Sequence, residues 1–387
     1  MARLDNIIIE DEVAKTSTDT SGTETIDLPE KGYLSQLNLR AAAVSVWVDE
    51  APLKHWQMIT KVEVIVNGSQ VVKSLDARQI RALAWYHGMD LIPLGSYARG
   101  GSGDKTFWTF PILFGRYPND PNYMLDLSRY SNPQLKITWN AAPSTFDGVS
   151  CDVTSSPSFR YGVDGLVYRG AAPSAVLGYV KSAQLDSWAT ANSVTHTTEV
   201  PIGDRLLGLM VGGRYNDIDT PEFFDNIKLN FDNGAWVALD HGHQQLMAFY
   251  ATWFPKTVET ILYCDCTSGN TTDPMLGFVD NINWCDSSGD IASVELAGPE
   301  YPLYDVGMYE VGTGSAATAR KTMNFKFTGR LPHQCFYIPM HAFTGNKWEP
   351  IDTNQFGRID LSVTMGSGVG TSATEKVVAE YILATGR

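Results

Sequence analysis

The sequence is short of positive charge. It has 29 Lys and Arg residues against 43 Asp and Glu residues, which gives a formal net charge of −14 at pH 7. A protein that binds bare nucleic acid presents positive surface to the phosphate backbone. The charge balance therefore argues against direct nucleic-acid binding. Residues 1–27, with seven acidic and two basic side chains, repeat the bias.

Long apolar runs are also missing. No stretch approaches the roughly 18 consecutive apolar residues that a membrane-spanning helix needs. Near the start, residues 7–9 are all Ile. This run is too short for a secretory signal and is followed by acidic residues. We therefore expect neither a spanning helix nor a secretory signal.

Cysteine is scarce, and its number is odd. A secreted disulfide framework usually has an even number of cysteines at regular spacing. Five at irregular spacing do not fit that pattern and favour folding in a reducing cytoplasm. The five are Cys151, Cys264, Cys266, Cys285 and Cys335.

Long amphipathic helices are few, whereas strand patterns are frequent. The segment 61–66 alternates polar and apolar residues and runs into Asn67-Gly68, a favoured hairpin turn because both residues accept positive φ. A short helix should follow, capped by Asp76 with Gln79 as its capping-box partner. With 43% hydrophobic residues in a chain of 387, two ordinary domains can each bury a core.

The same series of features occurs twice along the chain. Asn67-Gly68 recurs as Asn233-Gly234, offset by 166 residues (67 to 233). The Leu-Asp pair that ends at Asp76 recurs at Asp240, offset by 164 (76 to 240), and we expect Asp240 to cap a second helix. The alternative is that such turns recur in any β protein. The landmarks, in order, are Asn67, Gly68, Asp76 and Pro111, matched with Asn233, Gly234, Asp240 and Pro339.

These repeats predict an all-β protein with two tandem eight-stranded jelly-roll β-sandwiches, each with a short helix after a β-hairpin. Residues 28–174 should form the first sandwich and 175–387 the second. Residues 1–27 should form an N-terminal arm, with a flexible polar tether over 14–25. In the second sandwich 88 residues, against 24 in the first, separate the helix from the Pro landmark. We therefore predict a large inserted loop within 251–338.

Candidate metal ligands all have simpler structural explanations. Asp217, Asp219, Glu222 and Asp225 are the best calcium candidates, since hard cations take clustered oxygen ligands, but they lack the spacing of a calcium loop. Residues 240–243 (Asp-His-Gly-His) fit a helix N-terminus. Cys264, Cys266 and Cys285 lack the paired spacing of structural zinc.

The candidate catalytic and cofactor motifs also lack the pattern that such sites require. Residues 101–106 resemble a phosphate loop, but Asp104 stands before Lys105 where the motif needs Gly. The glycosylation sequons at Asn67 and Asn270 have little meaning without a secretory signal. We predict no catalytic residue, no cofactor and no essential metal, so the protein should not be an enzyme.

The duplicated strand, turn, strand and helix unit resembles the hexon-type double jelly-roll major capsid proteins of tailless icosahedral viruses, bacteriophages among them. The stretches 62–86, 107–138, 227–250 and 336–363 carry the likeness. The resemblance implies a homotrimer that forms a pseudo-hexagonal capsomer in the virion, assembled in the host cytoplasm. It further implies contacts with minor capsid or penton proteins. The insertion would face outward, and the arm would face inward, where it could contact an internal membrane.

Two other functions fit the composition. Ten Trp and seventeen Tyr would suit sugar stacking in a secreted or surface carbohydrate-binding or carbohydrate-active β-sandwich protein. The same aromatics also suit sandwich cores and subunit interfaces. Another viral structural protein, such as a spike or a minor capsid component, is the second alternative.

Overall fold

The computed structural model of the chain describes residues 3–15, 21–45, 58–89, 95–98, 104–140, 145–146, 149–150, 158–170, 172, 174–212, 224–266, 276–286, 291–297, 305–310, 321–367 and 374–384.

In the described residues, the front half consists of strands, one α-helix and a short 3₁₀ helix at Leu127–Arg129. Its elements are β1 (Arg3–Ala14), β2 (Ser21–Asp27), β3 (Tyr33–Ser45), β4 (Ile59–Val66), β5 (Gln70–Leu75), α1 (Ala77–Tyr86), β6 (Gly95–Ala98), β7 (Asp104–Leu113), β8 (Leu125–Asp126), β9 (Gln134–Asn140), β10 (Thr145–Phe146), β11 (Val149–Ser150) and β12 (Ser158–Arg169).

The back half also consists mainly of strands. Its elements are β13 (Gly178–Ala189), β14 (Thr195–Glu199), β15 (Arg205–Gly212), β16 (Phe224–Phe231), β17 (Trp236–Gly242), α2 (His243–Trp253), β18 (Thr257–Cys266), β19 (Leu276–Asp286), β20 (Ile291–Ala297), β21 (Asp305–Glu310), β22 (Lys321–Pro332), β23 (Cys335–Pro339), α3 (His341–Thr344), β24 (Ile351–Asp352), β25 (Ile359–Met365) and β26 (Thr374–Ala384).

Two four-stranded antiparallel sheets form the front sandwich. One has the order β1-β12-β3-β7, with β8 also on β3, and the other, β2-β9-β4-β5, is the front part of a nine-stranded sheet that continues into the back half. The period-2 pattern of a half-buried strand explains the packing. On β9, for example, Leu135, Ile137 and Trp139 are buried while the residues between them are half-buried.

The back sandwich repeats this topology strand for strand. Its sheets have the orders β13-β26-β15-β23, with β24 on β15, and β14-β25-β16-β17. Irregularities recur at equivalent places. The ladder of β1 shifts between Ile8 and Glu10, and that of β13 shifts between Gln184 and Asp186. The predicted pair of eight-stranded jelly rolls is confirmed.

Further pairing joins the two halves. β5 of the front sandwich lies parallel to β13 of the back sandwich, with Lys73 beside Ser182 and Ser74 beside Ala183. The predicted inserted loop is largely strand. β19, β22, β18 and the front-half strand β6 form one sheet in that order, and β20 pairs with β21. Among the described residues, no helix is long and apolar enough to cross a membrane.

Both Asn-Gly pairs lie in the turns between equivalent strands. Asn67 and Gly68 have φ of 52° and 77°, and Asn233 and Gly234 have φ of 54° and 99°. This left-handed conformation is the one that Asn and Gly tolerate best. Helix α1 begins with the predicted capping box of Asp76 and Gln79.

The sequence alignment is wrong by two residues at two landmarks. The second helix is capped by Gly242 with Gln245, while Asp240 lies within β17 and is paired with Lys228. Asp240 on β17 and Ser74 on β5 pair with equivalent positions of their neighbouring strands, β16 and β4. Asp240 therefore corresponds to Ser74 and not to Asp76. In the same way Pro339 corresponds to Leu113, two positions after Pro111, since Pro339 pairs with Gly208 and Leu113 with Gln36 at matching points of the ladders.

The N-terminal arm is also a wrong prediction. Residues 3–14 and 21–27 are strands of the front sandwich, paired with β12 and β9. Ile7, Ile9 and Val13 pack against its core, so the front unit begins at Arg3. Of the tether, residues 16–20 lie outside the described residues, and residues 21–25 belong to β2. In residues 4–9 exposed and half-buried side chains alternate, which is a strand pattern, so the acidic charge did not indicate an arm.

Shortening Ile9 tests whether β1 belongs to the fold. Ile9→Ala should lower the free energy of unfolding by about 1–2 kcal/mol, since it removes half-buried methyl groups from the core. Ile9→Val, the matched control, should cost less than about 1 kcal/mol. Urea unfolding followed by tryptophan fluorescence measures both. An unchanged midpoint for Ile9→Ala would mean that the segment is a detachable arm.

Candidate functional site at the junction of the two sandwiches

Helix α1 lies between the sandwiches and is buried along its length. Only Trp85 of its ten residues is half-buried. One side of the helix contacts its own strand β7, and the other contacts β22 and β23 of the back sandwich. Arg81 contacts both sides, because it donates to the carbonyl oxygen of Thr109 on β7 at 2.8 Å and lies 3.3 Å from Nε2 of His333 in the back sandwich. The helix therefore joins the two units.

A buried carboxylate on β26 is the centre of the junction. Glu380 accepts hydrogen bonds from Ser182 Oγ at 2.6 Å and from Tyr337 OH at 3.0 Å. His87 Nε2 lies 2.6 Å from its second oxygen, and His87 Nδ1 lies 2.7 Å from the carbonyl oxygen of Arg116. A carbonyl only accepts, so Nδ1 carries a proton. The remaining contact then needs one proton between imidazole and carboxyl.

The surroundings of Glu380 decide the charge of its carboxyl group. Burial raises the pKa of Glu380, but the charges of His87 and Lys73 and the hydrogen bond from Ser182 outweigh it and lower the pKa to about 2. The Glu380 carboxyl is therefore ionised at neutral pH. Lys73, 3% exposed, donates to Ser182 Oγ at 2.8 Å. Burial lowers its pKa to about 8, against the opposing attraction of Glu380.

A cavity of about 10 Å³ lies beside these charges. That volume accommodates about one water molecule, whereas ligand pockets measure roughly 300–1,000 Å³. The cluster therefore has no room for a substrate, and its chemistry is that of a structural ion network. The polar side chains that line the cavity are Lys73, His87, Ser182 and Glu380.

A second charged group lies along the same strand. Lys376 Nζ is 3.0 Å from Asp76 Oδ2, so the cap of α1 is also an ion pair with the back sandwich. Glu375 is fully buried, and burial raises its pKa to about 8 against the opposing charge of Arg78. Two glutamates on one strand thus have opposite shifts, because burial outweighs the attraction of Arg78 and Lys376 at Glu375, whereas the contacts with His87, Lys73 and Ser182 outweigh burial at Glu380.

Tyrosines complete the junction with neutral hydrogen bonds. Tyr86 donates to the carbonyl oxygen of Cys335 at 2.7 Å, and Tyr250 of α2 donates to that of Tyr337 at 2.7 Å. The rings of Tyr86 and Tyr337 stack at 5.1 Å. Both hydroxyls bind β23, so helices from the two halves hold the same strand.

The metal candidates from the sequence do not come together in the described residues. Asp225 is exposed on β16, whereas Asp217, Asp219 and Glu222 lie outside the described residues. No group of three or more His, Cys, Asp or Glu suited to a metal occurs in the part of the chain that the structure describes. Asp240 is held by Lys228 and Asn226.

The residues of the other candidate motifs lie in strands, in a turn or outside the described residues. Lys105 of the phosphate-loop segment lies within β7, and Cys264, Cys266 and Cys285 lie on β18 and β19. Gly101–Gly103 and Asn270 lie outside the described residues. The Asn67 side chain accepts a hydrogen bond from Ser131 N at 2.9 Å, which gives it a role in the turn.

Sequence reasoning missed the junction itself. The available signal was charge inside apolar strands. Glu380 interrupts a hydrophobic run on β26, and Lys73 interrupts another on β5. Charged residues are almost never fully buried unless paired, so each predicts a partner without naming it.

Comparison with known proteins was made for sequence and structure. No protein-family model and no curated protein matches the sequence. Solved structures do match over the whole length. The major capsid protein of Sulfolobus turreted icosahedral virus has a TM-score of 0.55 at 11% identity, covering 98% of this chain and 97% of that one. The major capsid protein of bacteriophage PM2 has a TM-score of 0.50 at 8% identity, covering 99% of both chains.

The chain has the double jelly-roll fold of these viral capsid proteins. VP54 of PBCV-1 gives the same result, with a TM-score of 0.55 at 8% identity and coverage of 99% and 94%. The resemblance predicted from the repeated unit is confirmed at the level of fold. In this double jelly roll, the buried junction fixes one sandwich against the other.

Glutamine substitutions on β26 test the charge states of the double jelly-roll junction. Glu380→Gln should cost about 3 kcal/mol at pH 7, because it leaves the buried Lys73 without its counter-charge. The native carboxylate stabilises fully above its unfolded pKa near 4.5, so this cost should shrink as the pH falls from about 4.5 towards 2.

Glu375→Gln is the matched control. Its folded pKa of about 8 lies above its unfolded value of 4.5, so the native chain loses stability as the pH rises from about 4.5 towards 8, where only the unfolded state gives up the proton. The amide does not titrate, so Glu375→Gln should gain stability relative to the native chain over that range, with most of the gain present at pH 7 and no further gain above about 8. Urea unfolding across pH 3–9 measures both variants. Equal losses at pH 7 would contradict the assignment of charge.

Proposed function

We propose that the protein is a viral major capsid protein that assembles into homotrimeric, pseudo-hexagonal capsomers. The observation that carries the proposal is the match of the whole chain, both sandwiches included, to major capsid proteins over 97–99% of their length. The two sandwiches share one topology, so three chains supply six similar units. A closed ring of three copies with head-to-tail contacts arranges them most simply.

The junction supports this proposal through its rigidity. A capsomer that tiles a shell needs a fixed angle between its sandwiches. The buried charges at Glu380 reach their partners in only one relative placement, and moving the units apart would leave charges buried and unpaired. The contact is therefore suited to an architectural role and not to domain motion.

The net negative charge supports a position in the shell where the protein does not contact the genome. The net charge of −14 would repel nucleic acid at close range. We propose the virion as the location and neighbouring capsomers, with minor capsid or penton proteins, as partners. Contact of β1 with an internal membrane loses support, because Ile7 and Ile9 pack against the protein's own core.

The insertion is the main asymmetry between the sandwiches, and we propose that it forms the outer face. Its sheet includes β6 of the front half, so both units contribute to one projecting layer. Limited proteolysis of intact particles should cut within 251–338 and spare 3–14 and 21–27, which lie in the sheets. Protection of 251–338 with cleavage elsewhere would argue against the outward assignment.

The oligomeric state tests the proposed function directly. Size-exclusion chromatography with light scattering at micromolar concentration should give about three times the chain mass of 42.6 kDa. Negative-stain images should have a hexagonal outline. A stable monomer or twofold dimer would contradict the proposal. A monomer that binds glycans on an array would favour the carbohydrate-binding alternative.

A further inference from the structure

The two equivalent helices differ in burial. On α1 and at its C-terminal cap, four side chains that reach or face the back sandwich are 2–8% exposed: Arg78, Arg81, Tyr86 and His87. The capping residues Asp76 and Gly242 align the helices. The equivalent residues of α2, which are exposed or half-buried, are Gln244, Met247, Thr252 and Trp253.

Equivalent strand edges also differ in whether another strand of the chain pairs with them. Within the chain, β5 has β13 as its parallel neighbour. The equivalent of β5 in the back sandwich is β17, and the equivalent of β13 in the front sandwich is β1. In the described part of the chain, both β17 and β1 end their sheets with no strand beyond them. Free edges of this kind present unpaired backbone groups that can pair with another chain.

Exposed apolar side chains concentrate on these elements. Eight large hydrophobic side chains are exposed among the described residues, and five of them lie on β1, β17 and α2. Grouped apolar exposure marks interaction surfaces in soluble proteins. The five are Leu4 and Ile8 on β1, Trp236 and Val237 on β17, and Trp253 on α2.

We propose that β17 and α2 of one copy pack against β1 and β12 of a second copy, as β5 and α1 pack against β13 and β26 within the chain. This inference rests on the proposed trimeric capsomer and names its interface. The internal register, transferred to equivalent residues, places Leu239 beside Asn6 of the second copy and Asp240 beside its Ile7. Repeating the contact three times closes a ring.

The side chains at the equivalent positions fit a contact between copies. His87 and Glu380 of the internal junction correspond to Trp253 and Leu166, so an apolar pair takes the place of an ion pair. Asp76 and Lys376 correspond to Gly242 and Gly162, which removes the second ion pair. Separate copies must bury this surface after folding, and buried aromatic anchors supply most of the affinity in such interfaces. The contact between copies should therefore depend less on pH than the internal junction.

A charge on α2 tests the surface. Trp253→Glu should raise the concentration at which the trimer dissociates by about tenfold or more, measured by light scattering across a dilution series. Trp253 is 36% exposed, so the variant should keep the fold of the single chain. Val194→Glu is the matched control, since Val194 is 50% exposed and lies outside the surface. It should leave the trimer intact.

Paired cysteines test the register. Ile7→Cys combined with Asp240→Cys should give a covalent trimer under mild oxidation, because neighbouring residues on paired strands lie within disulfide range. Asp11→Cys with Asp240→Cys, several residues out of register, and each single variant should not. A trimer that gives no cross-link and survives Trp253→Glu would overturn this interface and leave the capsid function standing. A monomeric native protein would overturn both.

Discussion

Three ionisable groups removed from water constrain the whole molecule. Glu380 lies on the back sandwich, while His87 and Lys73 lie on the front one, and each is 2–3% exposed. Any one of them left alone would cost several kcal/mol, so the two sandwiches fit together in one placement. Ser182 and Tyr337 complete the hydrogen bonding of the carboxylate. A duplicated fold thereby becomes one rigid unit.

Because the fold is duplicated, the elements of the internal junction have equivalents on the surface of the chain. The internal junction buries α1 and pairs β5 with β13, while the equivalent α2, β17 and β1 remain available. The substitutions at equivalent positions follow from this difference. Charged partners suit a contact formed once during folding, whereas Trp253 and Leu166 suit a contact between chains that meet in water. One geometry can therefore serve both purposes with different side chains.

Much of the fold could be predicted from the sequence because turns and strands depend on local residues. The Asn-Gly turns and the Asp76 cap are local, and they are where the sequence placed them. The two-residue slip at Asp240 arose because a Leu-Asp pair recurs within a strand, where pairing and not identity sets the equivalence. The Glu380–His87 contact spans 293 residues, so no local pattern could reveal it.

A cryo-EM structure of the assembled protein tests the central claim most directly. The rotation between the sandwiches within a chain and the rotation to the next chain's front sandwich should both be near 60°, as a pseudo-hexagon of three chains requires. β17 should lie beside β1 of the neighbour. An assembly without a threefold axis, or one in which α2 and β17 face solvent, would contradict the account.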